Sequence, residues 1–261
     1  MKKLSYILLL SIPIFTLWFC SSSTSGKNKD INNSQTKTSL QGGSKRIAVL
    51  ELFTSQGCSS CPSADRLLEK YSVKDNVIVI SFHVDYWDRL GWKDPYSAKQ
   101  FTNRQYNYAS ALKANVYTPQ LVINGQNEMV GSDARKIDNT LTKIWGQDLA
   151  SEVSIESVKL ENGKAIISYT LAGNTGNTSL NIALIEKKTK TKIKAGENGG
   201  ATLSGTNVVR NFETLNFVKE GKNSYTIEVP AGIDKINLST VLYLQKANNE
   251  ITAACQAAII M

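Results

Sequence analysis

The chain of 261 residues carries a single histidine, three methionines, four cysteines and five prolines. That shortage of soft ligands bounds its chemistry. With Cys20 set aside beside the N-terminal apolar run, only Cys58, Cys61, Cys255 and His83 remain. A four-ligand zinc site normally draws on two clusters of cysteine and histidine, and this chain has no second pair. Basic motifs are scarce in the same sense. The net charge is +8, yet no helical basic face and no basic run interleaved with aromatics is present, which excludes nucleic acid as a partner. The apolar fraction of 41% is ordinary for a globular protein, and the length allows two modest domains.

Residues 1–19 read as a signal peptide. Lys2 and Lys3 form a basic start, and Tyr6 to Phe19 form an apolar run too short to span a bilayer comfortably. Leu17-Trp18-Phe19-Cys20 is similar to a bacterial lipobox, with Phe19 where that motif carries a small residue. Residues 20–45 then read as a disordered polar tether, opening with Ser21-Ser22-Ser23-Thr24-Ser25-Gly26. The expectation is an exported protein, periplasmic or at the outer membrane or cell surface, lipidated on Cys20. A freely secreted form and an uncleaved anchor are the alternatives. Lys27, Lys29, Lys37, Lys45 and Arg46 face only Asp30 in this region, which suits contact with an anionic membrane.

What is present is a Cys-x-x-Cys pair in Glu51-Leu52-Phe53-Thr54-Ser55-Gln56-Gly57-Cys58-Ser59-Ser60-Cys61-Pro62. Ile47 to Phe53 reads as a buried strand, and Ala64, Leu67, Leu68 and Tyr71 recur at helical spacing. The pair therefore falls where a strand gives way to a helix N-terminus. Unpaired N–H groups and the helix dipole favour thiolate there, with thiol pKa values of about 3.5–7.5 at comparable sites. Outside the cytoplasm such a pair is usually oxidised.

Asn76 to Phe82 predicts a second buried strand, followed by the aromatic loop that runs from His83-Val84-Asp85-Tyr86-Trp87-Asp88 to Trp92. A polar helix is expected over 97–111, with strands at Leu121-Val122-Ile123 and Glu128-Met129-Val130. A helix capped by Asp133 is expected from about Ala134 to Trp145. The order β-α-β-α-β-β-α is a thioredoxin pattern, and Thr118-Pro119 stands where that fold places a cis-proline. Past Trp145 the runs become short and alternating, as in Val153-Ser154-Ile155-Glu156-Ser157-Val158 and Tyr225-Thr226-Ile227-Glu228-Val229. The fold expected is a thioredoxin-like α/β domain over 46–148 followed by a small all-β, sandwich-like domain over 149–261. Lys188, Lys190, Lys192 and Lys194 alternate as on a solvated edge strand.

With these residues, the chain resembles a bacterial family of exported thioredoxin-like proteins catalogued as a domain of unknown function. The resemblance runs from about Arg46 to the C-terminus. It rests on the Gly57-Cys58-Ser59-Ser60-Cys61-Pro62, His83-Val84-Asp85-Tyr86-Trp87-Asp88 and Tyr117-Thr118-Pro119-Gln120 motifs. Gly91-Trp92-Lys93-Asp94-Pro95, Gly196-Glu197-Asn198-Gly199-Gly200 and Asn207-Val208-Val209-Arg210 add to them. The resemblance implies a thioredoxin-like fold and an export route, and it supplies no substrate.

The chemistry expected is thiol–disulfide exchange with protein thiols or disulfides, recharged by a redox partner and needing no cofactor or metal. Cys58 attacks, Cys61 resolves, and Pro119 shapes the docking surface. His83 and Asp85, just past a core strand, are candidates to relay protons or tune Cys58. Tyr86, Trp87, Trp92 and Tyr117 are candidates for the rim of a peptide groove or for core. Cys255, among small residues, reads as a buried inert thiol. Two other readings stay open: a binding or assembly module whose disulfide is only structural, and Cu(I) handling by Cys58, Cys61 and His83.

Overall fold

The computed structural model describes residues 47–145, 151–216 and 218–259. The expected signal peptide, the tether and Cys20 lie outside them. Strand β1 (Ala48–Thr54) is buried at every position, and a helix α1 (Cys61–Tyr71) leads from it to an equally buried strand β2 (Val77–His83). The two strands pair in parallel, from Ala48 opposite Val77 to Thr54 opposite His83. Continuous apolar runs of this kind suit strands covered on both faces. Helix α2 (Lys99–Leu112) follows. Strand β3 (Gln120–Ile123) then pairs antiparallel with β1, and strand β4 (Asn127–Val130) with β3, before helix α3 (Ala134–Ile144).

Alternation along β1 sorts its side chains into two cores. Ala48, Leu50 and Leu52 pack in one cluster with Ala64 and Leu68 of α1 and Ile137 and Leu141 of α3. Val49 and Phe53 belong to another, with Phe101 and Tyr108 of α2.

The later strands are β5 (Ser151–Glu161), β6 (Lys164–Gly173), β7 (Thr178–Lys192), β8 (Thr202–Leu215), β9 (Gly221–Glu228), β10 (Leu238–Lys246) and β11 (Ile251–Ala258). They overturn the expected fold class. β8 pairs in parallel with β2 at Ser81 and Val208, so one mixed eight-stranded sheet runs β11-β10-β7-β8-β2-β1-β3-β4. A separate three-stranded sheet, β5-β6-β9, packs Val153, Ile167 and Ile227 against Leu180, Leu184 and Leu242 of the large one. The chain is mostly β, 47% strand and 20% helix, and is not a thioredoxin-like α/β domain followed by a separate all-β sandwich.

The physical reason lies at the β2–β8 junction. Ser81 Oγ donates to the Thr206 carbonyl (2.9 Å), and Asn207 Nδ2 donates to the Val79 carbonyl (2.8 Å). An edge that short-range patterning leaves open is thus closed by a strand 125 residues away in the sequence. Among the described residues no helix is long and apolar enough to cross a membrane.

Candidate functional site

The site forms where β1 and β2 end. After Thr54 the chain turns, with Cys58 N donating to the Ser55 carbonyl (3.2 Å) and Cys61 N to the Cys58 carbonyl (3.3 Å). Gly57 lies close against Trp87, since a Cβ there would sit 3.1 Å from Trp87 Cβ. Cys58 and Cys61 form a disulfide. Cys61 is the first helical residue of α1 and Pro62 the second, a position that suits proline because its missing N–H would be unpaired anyway. Both cysteines are buried, at 1% and 0% exposure, whereas Ser59 and Ser60 between them are exposed.

Ser60 Oγ lies 3.3 Å from Cys58 Sγ and 3.5 Å from the Thr118 carbonyl. The Thr118–Pro119 peptide bond is cis, Pro119 is buried, and Trp87 Nε1 donates to Thr118 Oγ1 (2.8 Å). Pro119 thus adjoins the cysteine loop. Trp87, Trp92, Tyr86 and Tyr117 are all half-buried, and Trp92 Nε1 donates to Gln56 Oε1 (3.1 Å).

His83 closes β2 and is buried. Its Nδ1 lies 2.7 Å from Asp94 Oδ2, which also accepts from Gln56 N (2.8 Å), while Asp94 Oδ1 accepts from Tyr96 N (3.0 Å). Burial opposes charge on His83, but the charge and hydrogen bond of Asp94, with the charge of Asp65, together raise the pKa above the ordinary imidazole value. Asp94 is likewise penalised by burial, yet His83 and the two backbone N–H donors hold it below the usual carboxylate range.

Asp85 does not join this pair. Its Oδ1 accepts from Thr102 Oγ1 (2.5 Å), and its N–H donates to the same oxygen (3.0 Å), so it docks the loop onto α2.

Besides Asp94 and Ser60, three contributors had no role in the sequence reading. Asp65 stands one turn beyond Cys61 on the same face of α1. The residue is half-buried, and its carboxyl accepts from the fully buried Thr54 hydroxyl (3.3 Å). Burial pushes that carboxyl up to about 6, moderated by nearby His83 and by the Thr54 bond. The i,i+4 spacing from Cys61 was the available signal. The others are Glu197 and Asn198, from the connection between β7 and β8. Asn198 Nδ2 donates to the carbonyls of Gln56 and Cys58 (2.9 Å each), and Glu197 Oε2 accepts from Ser59 N (3.0 Å). Their glycine-rich motif marked the segment in the sequence without giving it a place beside the cysteines.

Arg210 pairs with Glu186 and lies 5.0 Å from the centroid of Tyr96, whose ring packs edge-on to His83. Cys255 is a free, buried thiol, pushed up to about 12 by burial. Among the described residues no three His, Cys, Asp or Glu side chains converge as metal ligands.

Comparison with known proteins gives a family and no activity. No curated protein matches the chain. A crystal structure of a protein from Agrobacterium tumefaciens is 31% identical, covering 82% of this chain and 95% of that one with a TM-score of 0.64. A domain of the outer membrane lipoprotein Omp28 from Porphyromonas gingivalis is 16% identical over 42% of this chain and 95% of its own, with a TM-score of 0.27. The model of a protein family of unknown function, DUF1223, matches residues 49–245, and the chain belongs to that family.

Proposed function

We propose that this protein is an exported thiol–disulfide exchange protein acting on protein thiols through Cys58 and Cys61. The observation that carries the reading is a Cys-x-x-Cys disulfide at the start of a helix, with the Ser60 hydroxyl 3.3 Å from Cys58 Sγ. In the oxidised protein a partner thiolate attacks Cys58 Sγ. The Cys58–Cys61 bond breaks as the mixed disulfide forms, and Cys61 leaves with the electron pair and takes up a proton. A second partner thiol loses its proton and attacks the mixed disulfide, releasing Cys58. Two electrons and two protons have then passed to the cysteine pair, and the partner's two thiols have become a disulfide. In the reverse direction the Cys58 thiolate attacks a partner disulfide and Cys61 resolves the intermediate. A second thiol or disulfide protein resets the pair.

The surrounding residues support these steps. Ser60 Oγ donates to a thiolate on Cys58, which the backbone N–H groups at the start of α1 also favour. Asp65, with its carboxyl pushed up to about 6, exchanges a proton with Cys61 near neutral pH. The His83–Asp94 pair fixes the loop through Gln56 N. Lys2, Lys3 and the apolar run before Cys20 support export and a lipid tether on Cys20, which would present the site in an oxidising compartment.

One observation favours a second reading, a disulfide that only pins the loop of a binding module: both cysteines are buried. The reduction potential separates the two. Equilibration in glutathione buffers with thiol trapping should give a value between about −270 and −120 mV for an exchange centre, and a value below about −300 mV identifies a structural bridge.

A further inference from the structure

The loop that carries the cysteines is hydrogen-bonded from the far half of the chain, and the manner of bonding is informative. Between the end of β7 and the start of β8 the chain forms a tight loop. Ile193 and Ala201 close its base through Ile193 N to the Ala201 carbonyl (2.8 Å), and Gly200 N donates to the Ile193 carbonyl (2.9 Å). Ile193 is buried, but Ala195, Gly196, Glu197, Gly199 and Gly200 are exposed. Gly196 has a φ of 76°, a left-handed value that favours glycine. It also lies close against Trp92, since a Cβ there would come within 3.2 Å of Trp92 Cβ. The loop is thus rooted at its base, while its tip rests on the cysteine loop largely through polar contacts.

Those contacts have a specific chemistry. The Asn198 amide donates to two backbone carbonyls, of Gln56 and Cys58, and a Glu197 oxygen accepts from the backbone N–H of Ser59. An N–H donor and an oxygen acceptor are the two groups that a peptide unit presents. We propose that the tip, residues 195–200, occupies in cis a docking strip for an extended polypeptide backbone, which displaces it to bring a cysteine to Cys58. The inference rests on the exchange reading and adds to it a partner class, an unfolded or extended segment of a thiol protein. Recognition uses the main chain, so it is indifferent to the partner's side chains beyond the cysteine.

The test uses the full oxidised chain and the variants Glu197→Ala, Asn198→Ala and their combination. Two rates are followed, reduction by dithiothreitol and reduction by a disordered peptide with one cysteine. The affinity of the same peptide with serine in place of cysteine is measured by fluorescence anisotropy. Loss of the tip's three bonds should raise both rates at least about tenfold in the double variant and tighten peptide binding about tenfold. Each single variant should show part of the effect, so misfolding of one does not decide the matter. Unchanged rates in all variants overturn the inference. Faster reduction with unchanged peptide affinity also overturns it, because the tip would then be a plug and not a backbone mimic. A wild-type potential outside the exchange range, by contrast, defeats the exchange reading itself whatever the variants do.

Discussion

At the scale of single residues, Asp65 is a carboxyl whose burial works against folding. Its folded-state pKa of about 6 lies above the ordinary 3.8, so the native state binds the extra proton between those values. Stability therefore falls as pH rises from about 4 to 6, and the penalty is complete above 6. Asp65→Asn removes the ionisable group while keeping an acceptor for Thr54. It should stabilise the protein by about 1–3 kcal/mol at pH 7 and have little effect near pH 3.5, as urea unfolding at the two pH values would show. If Asp65 exchanges a proton with Cys61, the same variant should lose the break near pH 6 in the rate of disulfide reduction. A variant that is more stable but keeps the wild-type pH profile would assign Asp65 a packing role alone.

The His83–Asp94 pair, in contrast, stabilises the fold in its charged form. The raised His83 pKa contributes stability that is fully present below about 6.5 and lost as pH rises through the folded value. The lowered Asp94 pKa contributes stability above the ordinary 3.8 that is lost as pH falls through its folded value. The pair therefore stabilises between those limits. Asp94→Ala strands a buried imidazole and leaves Gln56 N without its acceptor, and should cost about 3–5 kcal/mol near pH 6 by chemical denaturation.

At the scale of elements, the positions of most strands and helices were legible, those of β8 and β11 were not, and neither were the long-range partners. Continuous apolar runs located β1 and β2 to within a residue, and Asp133 marked the start of α3, where its side chain accepts from Lys136 N (3.0 Å). Patterning does not report which edge a distant strand seeks. The β2–β8 contact has one ladder pair, Ser81 and Val208, supplemented by the side chains of Ser81 and Asn207. Such residues carry no signal of long-range pairing, and so the change of pattern past Trp145 reads as a domain boundary inside what is one sheet. At the site, the strand end that holds His83 was legible, but the carboxylate it pairs with, Asp94, eleven residues on, was not, and Asp85 bonds Thr102 instead. Residues two apart on an extended strand share a face, but Asp85 lies in the bend past the end of β2, which turns it toward α2, and only the folded loop returns Asp94 to the imidazole.

Asn207 allows the junction to be measured. It has φ of 50°, which asparagine tolerates better than most residues, and its amide satisfies the buried Val79 carbonyl. Asn207→Gly keeps the backbone conformation and loses the bond, at a cost of about 1–3 kcal/mol. Asn207→Ala loses the bond and adds about 1–2 kcal/mol of left-handed strain. Urea unfolding should therefore rank wild type above glycine above alanine, and equal values for the two variants would remove the strain contribution.

At the scale of the whole molecule, the early and late strands share a core as well as a sheet. Val49, Phe53 and Phe82 cluster with Phe212, Val241 and Tyr243. At its centre Glu51, fully buried on β1, accepts from Arg104 Nε and Nη2 (2.9 and 2.7 Å), from Tyr243 OH (2.8 Å) and from Tyr108 OH. Burial pushes both phenols well above their ordinary value, so they remain donors. The Arg104 guanidinium lies 4.8 Å from the centroid of Phe212 and 5.7 Å from that of Tyr243. A buried ion pair of this kind tolerates its desolvation only while every partner that satisfies it stays in place. That condition predicts what a cut at residue 148 does. A fragment of residues 46–148 keeps Glu51 and Arg104 but loses Tyr243, Phe212 and the strand that covers β2. It should show no cooperative thermal transition by circular dichroism, while the full chain melts in one. A sigmoidal melt of the fragment would show that the first half closes its own core, and the shared ion pair would then be a fastening between two folded units and not a condition for either to fold.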